Sequence, residues 1–187
     1  MLKRLTTKDL IIIAILAAIG LSIKPLVSPI SKMISTPLML PGGSFAGGFY
    51  MMWLVLSLAL TRKIGSATLF GVIQALVVLI QGSFGNHGAL SLLTYTIPAI
   101  AVDLLGLVIL NRSSLFFHLS TCALANMCGA LIMAVVIFRH PLPMLIVTLC
   151  TSLASGIVGG YLSYLINFEL LRTKLIDPIQ TPNKAQR

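Results

Sequence analysis

Acidic side chains are nearly absent from this sequence: only four of its 187 residues are Asp or Glu, and charged residues of both signs make up 9%. Soluble domains carry about 25% charged residues, because their surfaces face water. Hydrophobic residues account for 57% of the chain, and its mean hydropathy is +1.02. The composition therefore excludes an ordinary soluble domain and predicts an integral membrane protein.

Motifs for catalysis are also missing. The sequence has no GxxxxGKS/T loop for nucleotide phosphates, no HExxH, no serine nucleophile motif and no pair of acids within an apolar run. Its cysteines, Cys122, Cys128 and Cys150, lie in apolar runs without CxxC spacing, and they are predicted to be small core residues. These absences argue against an enzyme, and neither a metal nor a cofactor is predicted.

The 13 basic residues give a net charge of +9, but they stand singly or in pairs at the ends of apolar runs. This distribution indicates membrane topology and argues against a nucleic-acid groove. With six helices crossing the membrane, one side receives only three basic residues, Lys24, Lys32 and Arg139, and the opposite side receives the other ten. The positive-inside rule places that opposite side, with both termini, in the cytoplasm. The apolar core of the first helix is short, which requires either that Lys24 snorkels to the outer interface or that the helix kinks at Pro25.

Six apolar runs predict six transmembrane helices, since backbone polar groups in lipid must be satisfied within the chain. The predicted helices span residues 10–27, 44–61, 65–81, 90–110, 115–138 and 142–168. The expected fold is an all-α integral membrane protein, a six-helix bundle over residues 1–172, with a disordered cytoplasmic tail at 173–187. The start of the chain looks like a signal peptide, but no A-x-A cleavage site follows, and we interpret it as the first helix.

Glycine and proline are concentrated in the loops predicted to face outward, at 28–43, 82–89 and 139–141. The loop at 28–43 is apolar, which predicts a re-entrant or capping segment, with a solvated linker as the alternative. In the sequence GNHG, glycines flank Asn86 and His87 and allow the backbone to approach a ligand closely. Both are candidate ligand contacts, although a loop histidine is more often simply solvated.

Asp103 lies inside the fourth apolar run, where an ionised carboxylate costs roughly 2.5–3.5 kcal/mol or more. The side chain must therefore face a bundle interior or a wet cavity and must have a partner. Pro98, five residues earlier, is expected to bend the helix and to free the carbonyl of Thr94. Two interpretations remain open: Asp103 binds a ligand, or it bonds a hydroxyl or amide on a neighbouring helix.

Further polar and aromatic side chains complete the candidate site. Gln74 and Gln81 share a helix face that should point into the bundle, and Asn126 does the same on the fifth helix; each amide either contacts a ligand or forms an interhelical hydrogen bond. Aromatic residues crowd the outer end of the second helix as an interfacial belt or a stacking wall. The candidate substrate-binding residues are Trp53, Gln74, Gln81, Asn86, His87, Tyr95, Asp103 and Asn126.

Two small-residue patterns predict close helix contacts. Ala14 and Ala18 form an AxxxA on the first helix, and Gly156 and Gly160 form a GxxxG on the last. Small side chains at this spacing let two helix backbones approach each other in the membrane.

Six short helices, a basic start, the AxxxA and a length near 190 residues together resemble the substrate-binding S components of energy-coupling factor (ECF) vitamin transporters. Residues 47–108, from GGFYMMWL to AVDLLGLV, look most like the YkoE-type branch, which is linked to thiamine or its hydroxymethylpyrimidine precursor. The resemblance implies a multi-pass protein of the prokaryotic plasma membrane that captures a vitamin or precursor near its outer face. It also implies that Ala14 and Ala18 dock a transmembrane coupling protein, which works with two ABC ATPases.

The resemblance bears on two site residues. Asp103 falls where that branch carries an acid, which implies a positively charged or amino-bearing heterocycle as substrate. The third helix departs from the branch, because Ile73 and Gln74 stand where it carries an acid. Two other hypotheses remain: a self-sufficient secondary carrier that uses Asp103 as an ion-coupling site, and a structural membrane subunit without a ligand. A carrier commonly has inverted repeats, and the two halves of this chain do not match each other convincingly.

Overall fold

The computed structural model describes residues 5–80 and 90–173, and the regular structure of these residues is helical. The helices are α1 Thr7–Ser35, α2 Gly42–Thr61, α3 Ser66–Ile80, α4 Ser91–Val108, α5 Leu115–Ile132 with a π-helical extension Met133–Ile137, and α6 Leu142–Arg172. All but α3 are long and apolar enough to cross a membrane, which agrees with a multi-pass helical protein. Gln81, Asn86, His87 and the tail from residue 174 onward lie outside the described residues.

The first helix is longer than predicted, and the predicted outer loop is correspondingly wrong over its first half. α1 continues through Pro25 and Pro29 to Ser35, and only six residues separate it from α2. Both prolines are exposed and lie four residues apart on one helix face, so their rings project away from the bundle. On the inward side, Ser31 donates a hydrogen bond to the carbonyl of Gly42, which holds the last turns of α1 against α2.

The second helix forms the centre of the bundle and packs against α1, α5 and α6. Val55, Leu56 and Leu58 are completely buried in its middle. Near its start, Gly48 approaches α6 so closely that a Cβ there would lie 1.9 Å from the carbonyl oxygen of Ser155. The backbone amide of Gly48 also donates to the Ser155 hydroxyl at 3.1 Å. The absence of a side chain at Gly48 is therefore what allows these two helices to touch.

The last helix confirms the predicted GxxxG contact. A Cβ at Gly156 would lie 2.5 Å from the Cα of Ala123, and one at Gly160 would lie 2.5 Å from the carbonyl oxygen of His118. Both glycines thus pack directly on the backbone of α5.

The prediction that all three cysteines are core residues is wrong for Cys150, which is exposed because much of α6 faces outward.

The Gly48 contact leads to a prediction with a matched control. Gly48→Ala should lower the melting temperature of the purified protein by roughly 5 °C or more, since a clash with backbone cannot be relieved by a rotamer change. Gly43→Ala, on the same helix, has nothing within 4 Å of the new Cβ and should leave the melting temperature almost unchanged. Equal melting temperatures of Gly48→Ala and Gly43→Ala would contradict the close packing of α2 on α6.

Polar contacts gather at one end of the bundle, which we call the basic end: α1 and α3 begin there, α2 and α4 end there, and the sequence predicts it to be cytoplasmic. Lys63 Nζ contacts the completely buried Asp9 carboxylate at 2.6 Å. Arg62 Nη2 donates to Ser113 Oγ at 2.9 Å, which joins the end of α2 to the segment between α4 and α5. These bonds fix the ends of neighbouring helices at a common level.

Candidate functional site

Four helices bring a basic side chain together with amide and aromatic groups on the side of the bundle away from the basic end. Lys24 on α1 donates through Nζ to the Tyr95 hydroxyl on α4 at 2.7 Å, and it lies 3.4 Å from Gln74 Oε1 on α3. Tyr50 and Trp53 contribute from α2. We call these five residues the Lys24 cluster.

Small residues on α1 and α3 allow the Lys24 cluster to assemble. A Cβ at Gly20 would lie 2.7 Å from Gln74 Nε2 and 3.4 Å from the Trp53 ring, so Gly20 leaves the room that both side chains occupy. Gln74 Nε2 also faces the carbonyl of Ala17 at 3.4 Å. One turn earlier on the same face of α3, Gly71 packs against Ala99 and the backbone of Tyr95. The predicted inward stripe of α3 is thus confirmed over the part that the structure describes.

The ammonium of Lys24 is held by aromatic rings as well as by hydrogen bonds. Its Nζ lies 3.9 Å from the centroid of the Tyr95 ring and 5.7 Å from that of Tyr50. A cation within about 6 Å of an aromatic face is attracted by the ring quadrupole, more strongly where water is excluded. The aromatic residues of α2 therefore include side chains that face the bundle interior, as the stacking-wall alternative requires.

Two donors of the Lys24 cluster have no hydrogen-bond partner in the described part of the chain. They are the Tyr50 hydroxyl and the Trp53 indole N–H, and both atoms are buried. A buried donor without an acceptor costs roughly 1–3 kcal/mol, so an acceptor atom placed near these two groups would be stabilised by them. Together with Lys24 they form a set of donors that would suit a molecule bearing acceptor atoms.

The few acids of the chain do not neutralise Lys24 within the described residues. Asp9 pairs with Lys63, Glu169 lies 3.7 Å from Arg172, and Asp103 accepts from Thr68. Lys24 is therefore surrounded by neutral acceptors and ring faces in this part of the structure.

The prediction that Lys24 snorkels to the outer interface is wrong, since its ammonium finds partners inside the bundle. The sequence contains a signal for this inward position: Lys24 follows Gly20 by four residues and Ala17 by seven, so it shares their helix face. A lysine aligned with small residues is placed to contact a neighbouring helix.

Asp103 has the partner that its depth requires, and this partner is on α3. Its Oδ2 accepts from the backbone amide of Thr68 at 2.8 Å and from the Thr68 hydroxyl at 2.6 Å, and the residue is buried. Thr68 lies in the first turn of α3, where backbone amides have no partner in their own helix and the helix dipole favours a negative charge. Asp103 is therefore an N-terminal cap supplied by a neighbouring helix, about 12 Å along α4 from Tyr95.

Substitutions at Asp103 test whether this side chain stabilises the protein by accepting hydrogen bonds from Thr68 or only by carrying a negative charge. Asp103→Ala leaves two donors of Thr68 without an acceptor and should reduce the free energy of unfolding by about 2 kcal/mol, as measured by thermal or denaturant melting. Asp103→Asn retains an acceptor oxygen and should lose less than half as much. A melt of Asp103→Ala that matches wild type would contradict the capping role.

The remaining candidate polar residue lies on another side of the bundle. Asn126 is buried, and its Nδ2 donates to the carbonyl of Ser152 on α6 at 2.8 Å. Its Oδ1 faces Gly47 of α2, whereas Trp53 of the same helix faces α1. The structure thus forms the interhelical hydrogen bond that was one of the two alternatives, and it does not bring Asn126 to the Lys24 cluster.

The AxxxA motif lies on the outer surface of the bundle. Ala14 and Ala18 are both exposed, and Ile11 and Ile15 beside them are each 54% exposed. This surface is apolar, as a contact with lipid or with another membrane protein requires.

A cavity of about 350 Å³ lies between α2 and α6, where Phe45, Phe49 and Gly159 contribute to its walls, and it is separate from the Lys24 cluster. Over residues 5–80 and 90–173, no group of three His, Cys, Asp or Glu side chains comes together in a way that could hold a metal ion.

Neither the curated proteins nor the solved structures contain a match to this chain. A family model described as "ABC-type cobalt transport system, permease component" matches residues 8–131, about two thirds of the chain. The matched region includes every residue of the Lys24 cluster, the AxxxA motif and Asp103. The chain therefore belongs to the family of ABC-type cobalt transport system permease components.

Proposed function

We propose that this protein is the substrate-capture subunit, or S component, of an ECF-type ABC importer in the cell membrane. Membership of an ABC-type permease family supports this role, as do the helical bundle and the resemblance to S components. The sequence lacks a nucleotide-binding motif, so ATP hydrolysis belongs to two partner ATPases and not to this chain. A transmembrane coupling protein joins them to it.

One observation carries the assignment of the site: Lys24 converges with aromatic rings and with two buried donors that have no hydrogen-bond partner among the described residues. Binding sites for small molecules are mostly apolar or aromatic, with a few polar groups that fix the orientation of the ligand. Gln74 adds both a donor and an acceptor to this set. The substrate enters between α1, α2, α3 and α4 and replaces the contacts that Lys24 now makes with Tyr95.

The donors favour a flat substrate with acceptor atoms. A neutral hydroxymethylpyrimidine has ring nitrogens and a hydroxyl oxygen that can accept from Lys24 and Trp53, and its ring can stack on tyrosine. Thiamine carries a positive thiazolium ring that the ammonium of Lys24 would repel. We therefore propose the uncharged pyrimidine as the better ligand of the two.

The sequence favours Asp103 as the acceptor for a cationic substrate. Because Asp103 lies toward the basic end of α4, this role would require a ligand near that end. Its contacts with Thr68 support a structural role instead, and we place the substrate at the Lys24 cluster. The matched family is described by cobalt transport, so Co²⁺ is tested as a competing substrate.

Reconstitution tests the transport role. The purified chain in liposomes should bind radiolabelled hydroxymethylpyrimidine saturably, without hydrolysing ATP and without accumulating the compound against a gradient. Accumulation driven by a proton or sodium gradient would identify a self-sufficient secondary carrier and would contradict the proposal. Saturable binding of ⁵⁷Co²⁺ with no binding of the pyrimidine would identify a metal substrate and would also contradict it.

A further inference from the structure

A second cavity lies at the basic end, far from the Lys24 cluster and independent of the proposed substrate. Its volume is about 240 Å³, and its walls are formed by Arg62, Leu110, Asn111, Arg112 and Ser113. Two guanidinium groups and two small polar side chains therefore share one small space between the end of α2 and the segment that joins α4 to α5.

The hydrogen bonds of the two arginines leave part of their donor capacity unused. Arg62 Nη2 donates to Ser113 Oγ at 2.9 Å, and Arg112 Nη2 donates to the carbonyl of Gly106 at 3.3 Å. Arg112 Nη1 is buried without a hydrogen-bond partner in the part of the chain that the structure describes. A buried, charged donor of this kind strongly favours an anionic acceptor.

The positive charge at this cavity is only partly compensated, because neither arginine forms an ion pair among the described residues and the Asp103 carboxylate acts only on Arg112. The ion pairs found among the described residues join Lys63 to Asp9 and Arg172 to Glu169, and neither includes an arginine of the cavity. Burial lowers the pKa of Arg112 below its ordinary value; the Asp103 carboxylate opposes this effect, and the neighbouring Arg62 adds to it. An anion between the two guanidinium groups would offset the cost of burying a charged side chain and would reduce the repulsion between the two arginines.

Apolar side chains beside the cavity indicate what kind of molecule carries the anion. Val108 at the end of α4 is 76% exposed, Leu110 in the following segment is 83% exposed, and Phe116 at the start of α5 is 69% exposed. A phosphate in the cavity would thus have an apolar surface next to it along which acyl chains can lie. Basic pockets between transmembrane helices on the cytoplasmic side are typical sites for anionic lipid headgroups.

We infer that this cavity binds the phosphate of an anionic phospholipid, held between the guanidinium groups of Arg62 and Arg112. Planar guanidinium groups recognise phosphate through paired hydrogen bonds, which a zwitterionic headgroup weakens by carrying its own cation. The bound lipid would join α2 to the α4–α5 segment from the inner leaflet.

Native mass spectrometry of the full-length protein tests this inference, with dioleoyl phosphatidylglycerol and dioleoyl phosphatidylcholine as probes. Wild type should bind the first lipid more tightly than the second. Arg62→Gln and Arg112→Gln should each weaken phosphatidylglycerol binding about fivefold, and the double variant should weaken it about thirtyfold. The control is Arg172→Gln, which removes the same charge from an exposed position at the end of α6 and should change little.

The outcomes separate the possible occupants. Equal binding of the two lipids by wild type, or unchanged phosphatidylglycerol binding by the double variant, would overturn the inference. Thermal protection of wild type by inorganic phosphate as strong as that by the lipid would identify free phosphate as the ligand and would overturn it as well. Unchanged lipid binding with loss of ABC partners on co-purification would identify a protein contact. Arg62→Gln keeps the test valid if Arg112→Gln does not fold, because Arg62 is exposed.

Discussion

Lys24→Met is expected to reduce the affinity for hydroxymethylpyrimidine by roughly 10- to 100-fold. A hydrogen bond from a charged donor contributes about 1.5–3 kcal/mol, and methionine keeps most of the apolar length of lysine while deleting the donor. The apo protein should melt at the same temperature as wild type or higher, because the variant no longer buries a charge that has no carboxylate partner in residues 5–80 and 90–173. Calorimetric titration and a thermal melt of the same preparation measure both effects.

Lys8→Met is the matched control for this experiment. Lys8 is exposed at the basic end of the same helix, so the variant makes the same chemical change away from the proposed site. It should bind the pyrimidine like wild type. If Lys24→Met binds the pyrimidine as tightly as wild type, Lys24 is not part of the substrate site. The same conclusion follows if Lys8→Met loses as much affinity as Lys24→Met.

Ala18→Trp should abolish co-purification of this chain with the coupling protein and the ATPases while leaving substrate affinity intact; Ala14→Trp should act in the same way. Both alanines are exposed on α1, away from its buried face, so a large side chain there blocks a partner without disturbing the bundle. Close helix contacts in membranes depend on small residues, and an indole cannot fit where two backbones meet.

Leu104→Trp is the control, since Leu104 is 58% exposed on α4 and lies outside the AxxxA motif. It should co-purify normally. A parallel loss of partner binding and substrate affinity in Ala18→Trp would indicate that the motif supports internal packing. Normal co-purification of Ala14→Trp and Ala18→Trp would show that the partner docks elsewhere.

The sequence predicted the helices well because apolar runs of membrane length leave the backbone no alternative to helix. It predicted the GxxxG of α6 as a close contact, and three of its proposed substrate-binding residues, Trp53, Gln74 and Tyr95, lie together in the Lys24 cluster. It missed the last two turns of α1, since prolines at positions 25 and 29 normally end a helix. In the structure the helix continues through both prolines, and Ser31 in these last turns bonds to Gly42 of α2.

The assembly of the site was harder to predict than its members. Asp103 was recognised as needing a partner, but the choice of Thr68 depends on how α3 and α4 pack, which periodicity does not define. The position of Lys24 near the end of an apolar run fits snorkelling to the membrane surface as well as it fits an inward position, so the sequence pattern does not distinguish the two. Its inward contacts depend on the small side chains at Ala17 and Gly20 and on the position of Tyr95 in a different helix.

The central claim, that the Lys24 cluster captures an uncharged acceptor-bearing heterocycle, is tested most directly by calorimetric titration of the purified wild-type chain with hydroxymethylpyrimidine, thiamine and Co²⁺ in turn. We expect one-site binding of the pyrimidine, with thiamine at least tenfold weaker because of repulsion by Lys24, and no saturable heat with Co²⁺. Tighter binding of thiamine than of the pyrimidine, or saturable binding of Co²⁺ alone, would contradict this account of the site.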